Sequence, residues 1–270
     1  MQFDEFAAFE RNGWEHVVPS YEDYFGRLTV QSHPALLDAL AVGPGIRMLD
    51  VAAGPGNLAA AAIERGATAT AVDFSASMIA HARQLHPEIE FEHADAEHLP
   101  FGDESFDAVG INFGMLHFPE PERALDEAAR VLRRRGRIAF TAWAMPERAV
   151  GFGMVLDAVR LHGTLDIGLP PAPPFFRFGD PAECVRVLTE AGFIDARADE
   201  VEQTWHLVLP ETPLDGLMHG GVRMAAILRA QSKSALAAIE QEVRTRVKTY
   251  AQHGELLLPM PCVLACATKP

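Results

Sequence analysis

The chain has 270 residues, 49% of them hydrophobic, and a formal net charge of -14. The length suits one large α/β domain with additions, or two small domains. The acidic balance argues against nucleic acid and anionic membrane surfaces as partners.

No apolar run is long enough to span a bilayer, and the start of the sequence lacks a charged-then-apolar leader. The three cysteines, Cys184, Cys262 and Cys266, read as small core residues of a reducing compartment, not as ligands or a disulfide frame. A cytoplasmic protein is expected.

Residues 1–40 are predicted to form a helical cover, with Trp14, Tyr21, Tyr24 and Phe25 concentrated there. Alternating strand and helix signals follow over 41–144. A first strand is expected at Ile46–Ala52, then a helix capped by Asn57 and ended by Gly66. Thr68–Val72 reads as the second strand, with a helix begun by Ser75 or Ser77. Ile89–His93 and Phe106–Asn112 are the third and fourth strands. Pro121 opens a helix with acids early and arginines late, and Gly136 is expected to stop it. The dense basic run Arg133 to Arg135 would then complement that helix's dipole. Arg137–Trp143 is the fifth strand. Such alternation implies a doubly wound, mostly parallel α/β sheet.

The rhythm breaks after Trp143. Residues 145–180 read as a lid insertion, with a helix near Gly151–His162 and a proline-rich stretch. Residues 181–210 return a core helix and one strand, Arg197–Leu209. Residues 211–254 read as a second helical lid, and 255–270 as the final core strand, Pro261–Thr268. The additions are expected to cover the crevice at the carboxyl edge of the sheet.

The chemistry concentrates between Asp50 and Gly56. Gly54 and Gly56 permit unusual dihedrals and close backbone approach by a ligand. Asp73, at the end of the second strand, can accept from both hydroxyls of a ribose. Asp95, at the end of the third, can accept an adenine amine. Glycine turns and strand-end aspartates are each common as turn formers. Their joint occurrence on successive strands is what points to a nucleotide-like cofactor. Two compete, a nicotinamide dinucleotide and S-adenosylmethionine. Asp50 decides between them, because a carboxylate is awkward beside a pyrophosphate and suits an ammonium and a sulfonium.

Leu49-Asp50-Val51-Ala52-Ala53-Gly54-Pro55-Gly56 and Ala71-Val72-Asp73-Phe74-Ser75-Ala76-Ser77-Met78 are followed by Ala94-Asp95-Ala96-Glu97-His98-Leu99-Pro100-Phe101. With Ser105 to Val109 and Ala124 to Leu132, these motifs resemble those of class I S-adenosylmethionine-dependent methyltransferases. The resemblance is particularly to the small-molecule group that includes the ubiquinone and menaquinone biosynthesis type. It implies a Rossmann-like sheet of seven strands with an antiparallel edge hairpin.

It also implies site roles. Ala52, Gly54 and Gly56 would lie at the cofactor's methionine end with Asp50 nearby. Asp73 would hold the ribose, while Phe74 packs on the adenine beside Met78. Asp95, Ala96 and Glu97 would recognise the adenine edge, and Asn112 the methionine part. Tyr21 and Phe25 to Thr29 resemble an N-terminal cover.

Methyl transfer is an in-line displacement that needs alignment and exclusion of water more than acid-base help. His117 is the leading base candidate, with pocket shaping as its other role. His162, His206 and His219 rank below it. His81, His86, His93 and His98 show no metal-ligand spacing, and no metal is expected. Phe152, Met154, Phe175, Phe176, Trp205, Met218 and Met224 could line an apolar acceptor pocket. The expected activity is methyl transfer to a small apolar or aromatic metabolite, with O-, N- and C-acceptors open. The alternatives are a non-methylating, cyclase-like enzyme on the same fold and, further off, an NAD-dependent oxidoreductase.

Overall fold

A computed structural model describes residues 3–270 of the chain. Strands rich in apolar residues on both faces require cover on both sides, and the chain supplies it by alternating strand and helix. In order these are β1 (Arg47–Val51), α4 (Asn57–Glu64), β2 (Thr68–Asp73), α5 (Ala76–Leu85), β3 (Glu90–His93), β4 (Phe106–Asn112), α6 (Pro121–Val131) and β5 (Leu132–Trp143). Ahead of them lie α1 (Asp4–Tyr21), α2 (Arg27–Thr29) and α3 (His33–Ala39). After them come α7 (Val150–His162), α8 (Pro181–Glu190), β6 (Ile194–Val201), β7 (Thr204–Val208), α9 (Pro213–His219), α10 (Arg223–Arg229), α11 (Lys233–Arg246), β8 (Ala251–Gln252), β9 (Glu255–Pro259) and β10 (Cys262–Thr268).

The main sheet has seven strands in the order β3-β2-β1-β4-β5-β10-β6. Strands β1 to β5 are parallel, and β10 runs antiparallel between β5 and β6. This is the Rossmann-like methyltransferase architecture, with one antiparallel strand inside its edge. Side-chain alternation splits the core. Met48 faces Leu36, Leu37, Leu40 and Leu58 on one side. Leu49 and Val51 face Leu125, Ala128 and Phe140 on the other. Burying each such aliphatic side chain is worth about 1.5–3 kcal/mol.

Helix starts follow local chemistry. The Ser75 hydroxyl accepts from the Met78 amide at the head of α5, and Pro121 occupies the first turn of α6. Asn57 does not cap α4. Gly56 is the cap residue, in the left-handed region at φ 87°, and the Asn57 amide instead donates to Glu22 Oε1 at 3.1 Å. Helix α6 also ends at Val131, before the arginine run. Arg133 to Arg135 lie in the first part of β5, where Arg133 pairs with Asp107 at 2.7 Å. The run therefore braces the strand and does not complement the helix dipole.

The chain between β6 and β10 builds a second layer. What reads as one strand over Arg197–Leu209 is two, split between sheets at Glu202-Gln203. β7 joins a separate three-stranded sheet in the order β7-β9-β8. The stretch 255–259 is therefore lid sheet, and only β10 returns to the core. The 211–252 stretch is three helices plus a short 3-10 turn and β8. Trp205 of β7 is buried against positions where only glycine fits. A Cβ on Gly216 would sit 2.3 Å from its ring, and one on Gly151 2.9 Å. The Trp205 indole donates to the Tyr24 carbonyl at 2.8 Å and stacks on Phe25. Gln203 donates to the Leu28 carbonyl at 2.8 Å. The lid is thus locked onto the N-terminal segment.

Candidate functional site

At the carboxyl ends of β1, β2 and β4, three adjoining cavities meet at Ala52, which lines all of them. The turn after β1 sends backbone through the left-handed region three times, at Ala52 (φ 57°), Gly54 (φ 53°) and Gly56 (φ 87°). The two glycines then differ. A Cβ on Gly54 would meet nothing within 4 Å, and Gly54 lines the cleft. A Cβ on Gly56 would sit 2.7 Å from the Phe91 ring. Gly56 lines none of the three cavities; it lets α4 pack against β3. Of the two glycines expected at the methionine end, Gly54 borders the cleft and Gly56 does not.

Asp73 is the hub of the floor. Its Oδ2 accepts from the Gly54 amide and its Oδ1 from the Ser75 amide, both at 2.8 Å. An ionised carboxylate has about four acceptor sites, so about two remain for a ligand. Burial raises its pKa, against which these two amides pull. Beside it, Phe74, Asp95 and Ala96 line a cavity of about 440 Å³. Asp95 Oδ1 already accepts from the Glu97 amide at 2.9 Å. Glu97 does not join them. It is buried in a neighbouring outer cavity, where its Oε1 accepts from the Glu120 amide at 2.6 Å, so it shapes the loop.

On the other side, Tyr21, His33, Asp50, Gly54, Asn57 and Asn112 border a cavity of about 330 Å³. Asp50 is 1% exposed. Its Oδ2 accepts from the Ala59 amide at 3.0 Å. Its Oδ1 is buried with no hydrogen-bond partner among the described residues. Burial, with the nearby Asp73 charge, pushes its pKa up to about 8. His33 is held neutral, since burial depresses its pKa to about 4. Burial pushes the Tyr21 phenol up to about 12, so it stays protonated. Asn112 is spoken for. Its Oδ1 accepts from Ser32 and Thr141, and its amide donates to the Thr29 carbonyl. It ties β4 to the N-terminal segment while lining the cleft.

The cavity on the lid side is an open cleft of about 830 Å³, counted with the solvent at its mouth. Its walls are aromatic, from Trp14, Phe25, Phe113, Trp143, Phe152 and Phe175, with Met78 and Met224. Of the lid residues expected to line it, Phe152, Phe175 and Met224 do. Met154, Phe176, Trp205 and Met218 do not; they belong to the packing between lid elements. Sequence reasoning missed Trp14, Trp143 and Arg223, which reach the cleft only because α1, β5 and α10 converge there.

Helix α1 also supplies an unforeseen acid. Glu10, 2% exposed, accepts from the Trp14 indole at 3.1 Å through Oε2. The same oxygen lies 2.8 Å from His117 Nδ1, and the Trp14 ring packs edge-on against His117. His117 lines both the large cavity and the one beside Asp95. The other candidate histidines lie outside the cavities: His162 near Glu242, His206 near Glu255, and His219 stacked on Tyr24. Among the described residues no cluster of histidine, cysteine or acids is arranged to hold a metal ion.

Residues 49–140 match the family model described as Methyltransferase domain. Residues 49–140 are thus a methyltransferase domain. Over 127 residues it is 45% identical to a demethylmenaquinone methyltransferase of Clavibacter sepedonicus, covering 45% of this chain and 52% of that protein. The chain spans about half the length of the curated relatives it first matches. The YcgJ protein from Bacillus subtilis superposes with TM-score 0.56 at 21% identity, covering 88% of this chain and 97% of that one. A Haemonchus contortus phosphoethanolamine N-methyltransferase 2, in complex with phosphomonomethylethanolamine and S-adenosylhomocysteine, gives TM-score 0.61 at 19% identity, covering 98% of this chain and 60% of that one. These structural likenesses establish the fold of the methyltransferase domain. The matched segment holds Asp50, Asp73, Asp95, Asn112 and His117. The cover built by α1 to α3, α7 and the 202–261 segment lies outside it.

Proposed function

We propose that the protein transfers a methyl group from S-adenosylmethionine to a small, largely apolar acceptor held in the aromatic cavity. The observation that carries this reading is the buried, unpartnered Oδ1 of Asp50 beside the open face of Gly54. An orphaned carboxylate oxygen in a polar recess calls for a cationic donor, and the cofactor's ammonium is one. A pyrophosphate there would face repulsion.

The residues present fit the group. Asp50, Gly54 and Tyr21 would border its amino-acid part, Asp73 its ribose hydroxyls, and Phe74, Asp95 and Ala96 its adenine. Once bound it supplies an electrophilic methyl on a sulfonium. The chain's own work is alignment and drying. Phe25, Trp143 and Phe152 wall the space next to Ala52 and Gly54 against water and orient an apolar body.

His117 holds the acceptor's proton where one must leave. Glu10 bound to Nδ1 fixes the tautomer that leaves Nε2 as the acceptor nitrogen, the arrangement expected of a general base. Three buried free cysteines suit a reducing, cytoplasmic setting, and no helix among the described residues is long and apolar enough to cross a membrane.

The test is calorimetric titration of the purified protein with S-adenosylhomocysteine and, separately, NAD, followed by transfer of labelled methyl into a small-metabolite extract. Binding of the first alone, with label appearing in a small molecule, is the expected result. Binding of NAD alone overturns the cofactor assignment. Tight S-adenosylhomocysteine binding with no label transferred favours a non-methylating enzyme on this fold.

A further inference from the structure

The walls of the large cavity are aromatic and aliphatic with one exception on the lid side, Arg223. Among the described residues about half of the other arginines sit in ion pairs, among them Arg65, Arg130, Arg148, Arg177 and Arg186. Arg223 does not. Its guanidinium carbon lies 5.4 Å from the centre of the Phe6 ring, and its Nη1 donates to the Pro173 carbonyl at 3.3 Å. A single neutral acceptor leaves most of its five N–H donors unused. Among the described residues the acid that acts on it is Glu10, and Glu10 is engaged with Trp14 and His117. Half-buried cations without a counter-ion are costly. Helix propensity gives no reason for this one, because it occupies the first position of α10, where the dipole disfavours a cation.

Arg223 is placed where α1, the proline-rich insertion and α10 meet at the cavity, held by Phe6 and Pro173. A guanidinium held against a ring keeps N–H donors available for a carboxylate. The chain's net charge of -14 makes this cation stand out further, since long-range forces here repel acids. Only a specific local cation would let an acidic molecule settle in the cavity.

We propose that Arg223 is a specificity-determining residue that selects an acceptor bearing a carboxylate on an apolar body. The claim rests on the methyltransferase reading above and narrows its substrate class from apolar metabolites to apolar acids. The aromatic walls take the body, and the guanidinium takes the acid group at the mouth.

The matched probes 2-naphthoate and 2-naphthamide share one body and differ in charge. Their affinities are measured by quenching of tryptophan fluorescence in the S-adenosylhomocysteine-loaded protein and again in the ligand-free protein. A charge-assisted hydrogen bond predicts that the acid binds about 10- to 100-fold tighter than the amide. Arg223→Met should erase that preference while S-adenosylhomocysteine affinity stays within about twofold, and Arg223→Lys should keep part of it. The melting temperature of each variant shows that it folds.

Equal affinities in the parent protein, no binding of the acid at millimolar concentration, or an acid preference that survives Arg223→Met each overturn the proposal. Failure of S-adenosylhomocysteine to bind, with the acid preference intact in the ligand-free protein, overturns the methyltransferase reading instead.

Discussion

The floor of the cleft and its cover are built on opposite plans. On the floor, Asp50, Asp73 and Asp95 stand at or near the ends of neighbouring strands, and each is fixed by backbone amides of the turn or helix that follows. The cover is made of rings that touch because distant segments converge. Its few polar groups, Glu10, His117 and Arg223, come from separate stretches of chain. The floor is thus encoded locally, whereas the cover is assembled from tertiary contacts.

Substitutions can break this contrast. The largest effect is expected from His117→Ala, the one residue shared by floor and cover. Turnover should fall about 100- to 10,000-fold if it serves as base, with S-adenosylhomocysteine affinity kept. A loss of that affinity instead would reassign His117 to shaping the pocket.

Asp73→Ala comes next. It orphans the Gly54 and Ser75 amides and removes the ribose acceptor. Loss of the bonds to the two ribose hydroxyls, with the loop amides no longer held, should weaken S-adenosylhomocysteine binding by about 100-fold or more. Unchanged binding in calorimetry would remove Asp73 from the floor.

The two glycines give a smaller, sharper comparison. Gly56→Ala forces a methyl into Phe91 at a left-handed position, and should cost about 2–5 kcal/mol of stability in denaturant unfolding. Gly54→Ala should cost only about 1–2 kcal/mol of backbone strain, with a clear loss of ligand affinity. Equal effects of the two on affinity would contradict their assigned places.

The smallest signal is a proton. An unfolded aspartate ionises near pH 4, and Asp50 in the fold holds its proton to about 8. The folded state therefore carries the extra proton between those values, and Asp50 makes stability fall as pH rises through that window. A cationic ligand at Oδ1 reverses the preference. At pH 7, S-adenosylhomocysteine binding should release up to about one proton from this group, read from calorimetry in buffers of different ionisation heat. Asp50→Asn should abolish the release. A release unaltered in that variant would place its source elsewhere.

The same contrast explains what could be read in the sequence. Strand-helix alternation and the strand-end acids are local signals, so β4 lies at Phe106–Asn112 as expected and β1 to β3 within a residue or so. The capping box at Thr212 and Asp215, the Gly220-Gly221 pair and the Ser232 cap were also present in the sequence, and would have divided the 211–252 stretch into its helices.

Other features carry no local mark. β7 and β9 are defined only by each other, with Trp205 opposite Leu258. Glu10 sits on a polar-looking helix, and nothing nearby in sequence announces that His117 will bury it. Arg223 reads as an ordinary helix residue until α1 and Pro173 close on it. At Gly56 a ligand contact and a packing contact demand the same residue type, so the sequence alone does not separate them.

Segment 202–261 leaves the sheet after Val201 and re-enters at Cys262, and those two residues are direct partners across β6 and β10. Its ends are therefore pinned about 5 Å apart, one strand spacing, whatever lies between them. Lengthening a chain between fixed ends costs only about 0.6 kcal/mol per doubling. The segment can therefore vary in length without disturbing the sheet, provided that Trp205 and Gln203 keep their hold on the N-terminal segment.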